Sequence, residues 1–232
     1  MNCLQDTKMK TCVLIPAYNE AAHIASVVEG AREHVESVIV IDDGSSDGTL
    51  EAARRAGAHC IGSSVNCGKA SALRLGFAHA QAEKFTHAIT LDGDGQHLHQ
   101  DIPVLLQTER ETGADLVIGA RPFDRALMPR ARYYSNTIGS RWASALVGKP
   151  IQDSQSGFRL FRLESLACIK LRSRRYEFEM EVLIKMGRAG FRIAHAPIHM
   201  VYDNGQARSK MKPVRDTIRI CLWSLAFRFL GA

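Results

Sequence analysis

Two aspartates separated by one glycine, Asp92-Gly93-Asp94, are the residues of this chain best suited to chemistry. They directly follow the apolar run 87–91, and this run predicts a buried strand. Mg²⁺ and Mn²⁺ prefer carboxylate oxygens, and they commonly bind through one or two carboxylates together with substrate phosphates. The triplet therefore indicates a cation site at the mouth of a strand, with an ordinary turn as the alternative.

The composition is that of a globular protein. The chain has 232 residues, of which 46% are apolar and 23% charged, so it can bury a full core and is not disordered. Its 6 cysteines lack the spacing of metal ligands, which predicts buried, reduced thiols and a reducing compartment. The start of the chain lacks the apolar segment of a secretory signal.

The net charge of +6 favours acidic partners, such as phosphates, nucleotides, nucleic acid or anionic lipid. The basic residues concentrate in segments 121–132 and 208–219. A solvated basic face is the alternative interpretation of these segments.

Strand and helix patterns alternate in the first half of the chain. Apolar runs predict strands over 11–15, 37–41, 59–61 and 88–91. Between them we expect three helices: one capped by Asn19 that buries Ile24, Val27 and Val28, and two over 49–56 and 68–82. This alternation predicts an α/β fold with a Rossmann-like, mostly parallel sheet and helices on both faces.

In such sheets, ligands bind beyond the carboxyl ends of the strands. Three polar motifs, at 16–20, 42–49 and 92–97, follow predicted strands and share that edge. Their common position predicts one binding site.

The second half continues the same domain. We expect a strand over 115–119, a helix over 133–147, a polar loop entering a strand over 153–161, and a helix over 177–187. Residues 193–201 are predicted to be extended, and Pro197 favours an edge position. No linker divides residues 1–212, so we predict one catalytic domain there.

Residues 213–232 form a tail of different character. Pro213 can begin a helix that is apolar around most of its circumference and carries Arg215, Arg219 and Arg228. Its apolar core is shorter than the about 20 residues that span a bilayer. We therefore expect an amphipathic helix at an anionic membrane surface, with a helix packed on the domain or in a dimer as the alternative.

Several motifs together resemble one enzyme family. They are Val13–Glu20 (VLIPAYNE), residues 41–49 (IDDGSSDGT), residues 68–77 (GKASALRLGF), residues 91–97 (LDGDGQH), residues 118–121 (IGAR) and residues 156–158 (SGF). In this order they resemble the family 2 glycosyltransferases, most closely the dolichol- or polyprenyl-phosphate mannose synthase branch. The resemblance implies a GT-A fold, a nucleotide-diphosphate sugar donor, Mg²⁺ or Mn²⁺, and inversion at the anomeric carbon.

The resemblance also assigns residues. Tyr18 would cover the base or ribose, Asp43 would accept a hydrogen bond from the base, and Arg121 would contact phosphates. Asp92, Asp94 and Gln96 would hold the metal, and Asp94, Asp153 and Arg121 would be the catalytic group. The full set expected at the donor is Pro16, Tyr18, Glu20, Ile41, Asp43, Asp92, Gly93, Arg121, Arg132, Arg208 and Lys210.

The acceptor determines whether a catalytic base is needed. A phosphate monoester, with a second pKa of about 6, is ionised near neutral pH and can attack without a base. A sugar hydroxyl needs one, for which Asp153 is the candidate and a turn aspartate the alternative. His97 and His99 are further candidates for the site. Arg208-Ser209-Lys210 resembles a loop over donor and lipid phosphate, although the preceding Gln206-Ala207 departs from the family's Arg-Gly.

The function expected is transfer of a hexose from a GDP- or UDP-sugar to a polyprenyl phosphate at the inner face of the cytoplasmic membrane. The alternative is a hydroxyl acceptor on a glycolipid or envelope polysaccharide. A separate membrane protein could supply an anchor. A nucleotidyltransferase is disfavoured because the chain lacks a glycine- and lysine/arginine-rich N-terminal phosphate loop. Nucleic acid is not expected as a partner, since the polar motifs cluster at strand ends.

Overall fold

The computed structural model describes residues 9–123, 130–173, 177–199 and Ser224. Within these residues, the strands form one sheet in the order β3-β2-β1-β4-β6-β5-β7. The strands are β1 (Thr11–Ala17), β2 (Ser37–Asp43), β3 (His59–Ser63), β4 (His87–Thr90), β5 (Leu116–Ala120), β6 (Arg159–Arg162) and β7 (Ile193–Pro197).

Helices connect most of these strands. They are α1 (Ile24–Arg32), α2 (Thr49–Arg55), α3 (Lys69–Ala82), α4 (Ile102–Thr112), α5 (Arg130–Val147), α6 (Leu163–Ala167) and α7 (Phe178–Arg188), with a 3-10 helix at His99–Asp101. The sequence patterns did not predict α4 or α6, of which α6 has only 5 residues.

The predicted mostly parallel sheet is confirmed, with one exception. β6 runs antiparallel to both β4 and β5, between which it lies. The first strands pair in parallel, so the carboxyl ends of β1, β2 and β4 meet at one edge as predicted. β7 lies at the end of the described sheet, which confirms the edge position expected from Pro197.

Two apolar clusters cover the two faces of the sheet, which confirms helices on both sides. One cluster joins Leu73 and Phe77 of α3 to Ala143 of α5 and Met180 of α7. The other joins side chains of α1, α2 and α4, among them Ile24, Ala53 and Leu105. The sheet is therefore enclosed between two layers of helices.

Two local expectations were wrong. Asn19 does not cap α1, which begins at Ile24 after His23. Asn19 instead adopts a left-handed φ of 54°. The predicted burial of the thiols is confirmed for Cys12, and this burial raises the pKa of Cys12 to about 12. Cys67 and Cys168 are exposed instead.

The tail lies outside the described residues except for Ser224, which is helical and buried. Its hydroxyl accepts a hydrogen bond of 2.7 Å from the indole Nε1 of Trp142 on α5. At Ser224 the tail therefore contacts the domain, in agreement with the alternative prediction of a helix packed on the domain. Among the helices of the described residues, none is long and apolar enough to cross a membrane.

Candidate active site

The loops after β1 and β2 are joined by hydrogen bonds between backbone and side chains. The amide of Asn19 donates to Ser45 Oγ at 2.9 Å, and the amide of Ser46 donates to Asn19 Oδ1 at 3.0 Å. The amide of Glu20 donates to Thr49 Oγ1 at 2.8 Å. These contacts explain the left-handed Asn19: the turn aims its amide side chain at the second loop. The first two polar motifs thus form one unit.

Asp43, at the end of β2, fixes the start of α3. Its two carboxylate oxygens accept hydrogen bonds from the amides of Cys67 and Gly68, each at 2.8 Å. A negative charge there is also favoured by the helix dipole. Because each carboxylate oxygen can accept a second hydrogen bond, Asp43 remains able to accept one from a ligand.

A cavity of about 340 Å³ opens between these loops and α3. Tyr18, which is 40% exposed, forms part of its wall. The lining residues are Pro16, Ala17, Tyr18, Glu20, Asp43, Asn66, Cys67, Gly68, Lys69 and Ala72. Four of the predicted donor residues, Pro16, Tyr18, Glu20 and Asp43, are therefore brought together around one space.

Lys69 joins this cavity to the aspartate motif. Its ammonium lies 2.7 Å from Asp92 Oδ1 and 3.1 Å from Glu179 Oε1. Burial would raise the pKa of Asp92, but the charge and hydrogen bond of Lys69, together with the charge of Arg121, hold the pKa below its ordinary value. Gly157 permits this arrangement, since a Cβ there would lie 2.8 Å from Asp92 Oδ2 and 2.9 Å from Lys69 Nζ.

Asp94 has the opposite electrostatic balance. Burial and the negative charge of Asp92 raise its pKa to about 6, although the amide of Gln96 donates to its Oδ1 at 3.1 Å. Because little positive charge balances the carboxylate of Asp94, an added cation would stabilise its ionised form. The carboxylate oxygens of Asp92 and Asp94 are ligands that suit Mg²⁺ or Mn²⁺. Asp92 and Asp94 therefore fit the metal that the family resemblance implies, with Gln96 beside them.

The two candidate histidines separate. His97 is buried, its Nε2 lies 4.0 Å from Asp92 Oδ2, and burial lowers its pKa to about 4. His97 is therefore neutral at pH 7. His99 begins the 3-10 helix and lies against His34, which follows α1. Only His97 belongs to the cluster around Asp92.

Arg121 and Asp153 form a buried pair on the other side of the site. Arg121 Nε donates to Asp153 Oδ2 at 2.5 Å and Nη2 donates to Oδ1 at 2.9 Å. Asp153 Oδ1 also accepts hydrogen bonds of 3.1 Å from the amides of Gln155 and Ser156. Burial would raise the pKa of Asp153, but Arg121 and these donors hold it below the ordinary value. This geometry favours a role for Asp153 in positioning Arg121 over the predicted role as a base.

Arg159 is a buried cation that sequence reasoning missed. Its guanidinium donates to the carbonyl oxygens of Ser156 and Ser154 at 2.8 Å and to that of Glu179 at 2.9 Å. Burial lowers its pKa to about 10, so it stays charged at neutral pH. It thereby ties the loop 153–157 to the first turn of α7, which carries Glu179.

The remaining predicted residues are placed as follows. The side chain of Ile41 is in the core, where its Cδ1 faces Gly76, so only its backbone can reach a donor. Gly93 is buried between the two aspartates. Arg132 is half-buried on the first turn of α5. Arg208 and Lys210 lie outside the described residues, and their roles stay predictions.

The profile described as "Glycosyl transferase family 2" matches residues 12–170, which include every element of the site up to the loop 153–157. The chain is a family 2 glycosyltransferase. It is thus an enzyme of the sugar-transferase class.

Relatives agree with this assignment. The glycosyltransferase is 34% identical to "Glycosyltransferase AglJ" of Haloferax volcanii over 88% of this chain and 67% of the relative. It is 29% identical to "Undecaprenyl-phosphate mannosyltransferase" of Micrococcus luteus over 96% of this chain and 97% of the relative.

A solved structure shares the fold. Glucosyl-3-phosphoglycerate synthase of Mycobacterium tuberculosis, solved with Mn²⁺, UDP-glucose and phosphoglyceric acid, superposes with a TM-score of 0.70 at 20% identity. The match covers 95% of this chain and 80% of that one. The predicted GT-A fold is thereby confirmed for this glycosyltransferase.

Lys69 and Arg159 are the functional residues that the sequence left unassigned. The Gly68-Lys69 pair had a signal, because it follows a loop and begins a helix, but it lacked the spacing of an ATP-binding loop. Arg159 had none, since nothing in a single sequence distinguishes a buried arginine from an exposed one.

Proposed function

We propose that this glycosyltransferase moves a hexose from a GDP- or UDP-sugar to a polyprenyl phosphate, with inversion and with Mg²⁺ or Mn²⁺. The observation that carries the proposal is the contact of Lys69 with Asp92, because Lys69 also lines the 340 Å³ cavity. That contact makes the nucleotide space and the carboxylate motif one continuous site.

The donor would lie with its nucleoside in the cavity and its diphosphate toward Lys69. Asp43 accepts a hydrogen bond from the base, and Tyr18 covers the base or ribose. The N-terminal end of α3, which begins at Lys69, favours phosphate through the helix dipole. Asp92 and Asp94, with Gln96, would hold the metal ion, which when bound adds positive charge beside the diphosphate.

The reaction is a single displacement. A phosphate oxygen of the acceptor forms the new bond to the anomeric carbon while the bond from that carbon to the donor diphosphate breaks. The leaving diphosphate gains charge, which Lys69 and Arg121 stabilise from fixed positions. Asp153 holds the guanidinium of Arg121 through two hydrogen bonds, so the arginine need not change its conformation during transfer.

A phosphate acceptor is favoured by the state of Asp153. Its side chain is 0% exposed and ion-paired, which suits an enzyme whose nucleophile is already ionised. Relatives named for undecaprenyl phosphate and dolichyl phosphate support the same acceptor class. The enzyme would work as a peripheral protein at the cytoplasmic face of the membrane. The positive charges of Arg208, Lys210 and the tail would favour an anionic lipid, with or without a membrane-anchored partner protein.

The acceptor is tested with the purified full chain, polyprenyl phosphate in vesicles, and radiolabelled sugars on GDP and UDP. We expect label that extracts into organic solvent and is released by mild acid, as a glycosyl phosphate is. Label that stays in water or on protein would reject the lipid-phosphate acceptor while leaving the donor site intact.

The metal site is tested with Asp94→Ala. This change should abolish metal-dependent turnover and leave the melting temperature close to that of the wild type, because Asp94 carries an uncompensated charge. Glu29→Ala, which removes an exposed carboxylate on α1 outside the site, is the control. Full activity of Asp94→Ala would show that the metal assignment is wrong.

The second candidate is a hydroxyl acceptor on a glycolipid or polysaccharide. Glu179 favours it, because this carboxylate lies beside Lys69 within the site and could take a proton. A loss of rate in Glu179→Gln with a hydroxyl acceptor, together with a pH profile that loses its acid limb, would support this candidate. Unchanged turnover of polyprenyl phosphate in that variant would support the first.

A further inference from the structure

A second group of metal-ligating side chains lies away from the aspartate motif. Glu33 and His34 follow the last residue of α1, and His99 opens the 3-10 helix 65 residues later in the chain. One ligand atom from each of the three lies within 4.8 Å of the others. The fold thus brings together two imidazoles and a carboxylate that are far apart in sequence.

The distances suit coordination of one ion. His34 Nε2 and His99 Nδ1 are 3.3 Å apart, and Glu33 Oε2 is 3.7 Å from His99 Nδ1. For zinc–nitrogen bonds of about 2.0–2.1 Å in tetrahedral geometry, two ligand nitrogens lie about 3.3–3.4 Å apart. The two rings therefore already have the separation that a tetrahedral ion requires.

The surroundings hold the rings and favour a cation. The ring of His99 lies against Gly30 of α1. A Cβ at residue 30 would overlap Cδ2 of His99, so the glycine makes room for the imidazole. His34 and His99 are half-buried, whereas Glu33 is exposed, which leaves solvent access for an ion. The group also lies at the carboxyl end of α1, where the helix dipole attracts positive charge.

We propose that Glu33, His34 and His99 bind one divalent transition-metal ion, of which Zn²⁺ is the best match. Two histidines and one glutamate, with water in the fourth position, form a known zinc ligand set. Imidazole nitrogens select against Mg²⁺, which prefers the oxygen ligands of Asp92 and Asp94. The chain would then carry two cation sites of different ligand chemistry.

Binding would cross-link the end of α1 to the segment that follows the aspartate motif, since His99 is two residues after His97. An ion that binds only the folded protein stabilises it by mass action. The site would therefore stiffen the turn behind Asp94 without contacting the donor.

The test is a titration of the full chain with Co²⁺ in saturating Mg²⁺, followed by visible absorption. We expect one equivalent of Co²⁺ with ligand-field bands typical of nitrogen and oxygen ligands, displaced by Zn²⁺. His99→Ala and, separately, His34→Ala should lose these bands, and Glu33→Gln should weaken binding about tenfold. Melting without metal checks that each variant folds.

Two controls separate this site from others. His59→Ala removes a histidine whose ring stacks on His79 at 4.9 Å, and it should keep the bands. Asp94→Asn should also keep them, so the outcome does not depend on the proposed function. Retained bands in both His99→Ala and His34→Ala would overturn the proposal. Failure of excess Co²⁺ to bind the wild type would also overturn it, leaving the two histidines as a hydrogen-bonded pair.

Discussion

The two sides of the site are held together by different forces. On the donor side, the loops after β1 and β2 are joined by neutral hydrogen bonds, such as Glu20 to Thr49, and they surround an open cavity. On the opposite side, here called the arginine side, Asp153 and Arg159 are buried and, together with Arg121, are held by charged hydrogen bonds.

This difference predicts different responses to mutation. A neutral hydrogen bond contributes about 0.5–1.5 kcal/mol to the free energy of unfolding. Breaking a buried ion pair by removing one partner costs about 3–5 kcal/mol. Changes on the arginine side should therefore lower the free energy of unfolding, whereas changes on the donor side should alter binding in a folded protein.

Arg159→Met should have the largest effect. Three carbonyl oxygens, of Ser154, Ser156 and Glu179, would lose their donor, at about 1–3 kcal/mol for each one left buried. We expect the free energy of unfolding in urea to fall by about 4 kcal/mol or more. Arg141→Met, on the exposed face of α5, is the matched control and should change it by less than about 0.5 kcal/mol. Equal values for the two variants would remove the distinction between the two sides.

Asp153→Asn should come next, with a loss of about 3 kcal/mol at pH 7 because Arg121 would be left with a neutral partner in a buried position. The folded pKa of Asp153 is lowered, so its contribution is fully present above the unfolded pKa of about 3.9. That contribution is lost as the pH falls below this value toward the folded pKa. Urea unfolding from pH 7 to pH 3 should show the two proteins converging only at the acid end. A constant difference across this range would show that the ionised carboxylate is not what stabilises the pair.

Lys69→Met tests the residue that connects the two sides. Removal of a fixed cation beside a leaving diphosphate should lower kcat by about 10²-fold, comparable to the loss of one oxyanion donor. Lys69→Arg keeps the charge and should recover part of the rate. Steady-state kinetics with saturating donor measure this effect, and a change in KM alone would reduce Lys69 to a binding role.

Asp43→Asn should have the smallest effect, and it should appear in binding. The asparagine amide would place a donor against the amide of Cys67 or Gly68, which disturbs the start of α3. We expect the affinity for GDP or UDP to fall about tenfold, or about 1.4 kcal/mol, while the protein stays folded. Calorimetric titration of each nucleotide measures it, with Glu29→Gln, an exposed carboxylate on α1, as the control. Unfolding of Asp43→Asn would show that the donor side is structural as well.

How far the sequence predicted the site differs between its two sides. Residues 16–20, 42–49 and 92–97 were each placed correctly at the ends of strands, because a short apolar run followed by polar or turn-forming residues fixes a strand and its end locally. The pairing of Arg121 with Asp153 could not be predicted, since 32 residues separate them and each has a plausible exposed alternative. The same holds for His34 and His99, which are 65 residues apart.

The sequence by itself determined the α/β alternation, the shared edge of the polar motifs and the family, because all three depend on local pattern and order. Only the tertiary structure decided that β6 runs antiparallel to its neighbours. It also decided that the side chain of Asn19 accepts a hydrogen bond from the second loop instead of capping α1. Finally, it placed Lys69 between Asp92 and Glu179. These features arise from contacts between residues far apart in the chain. The free energy of these contacts depends on how deeply the residues are buried and on the charge of their partners. Neither property follows from the type of a single residue.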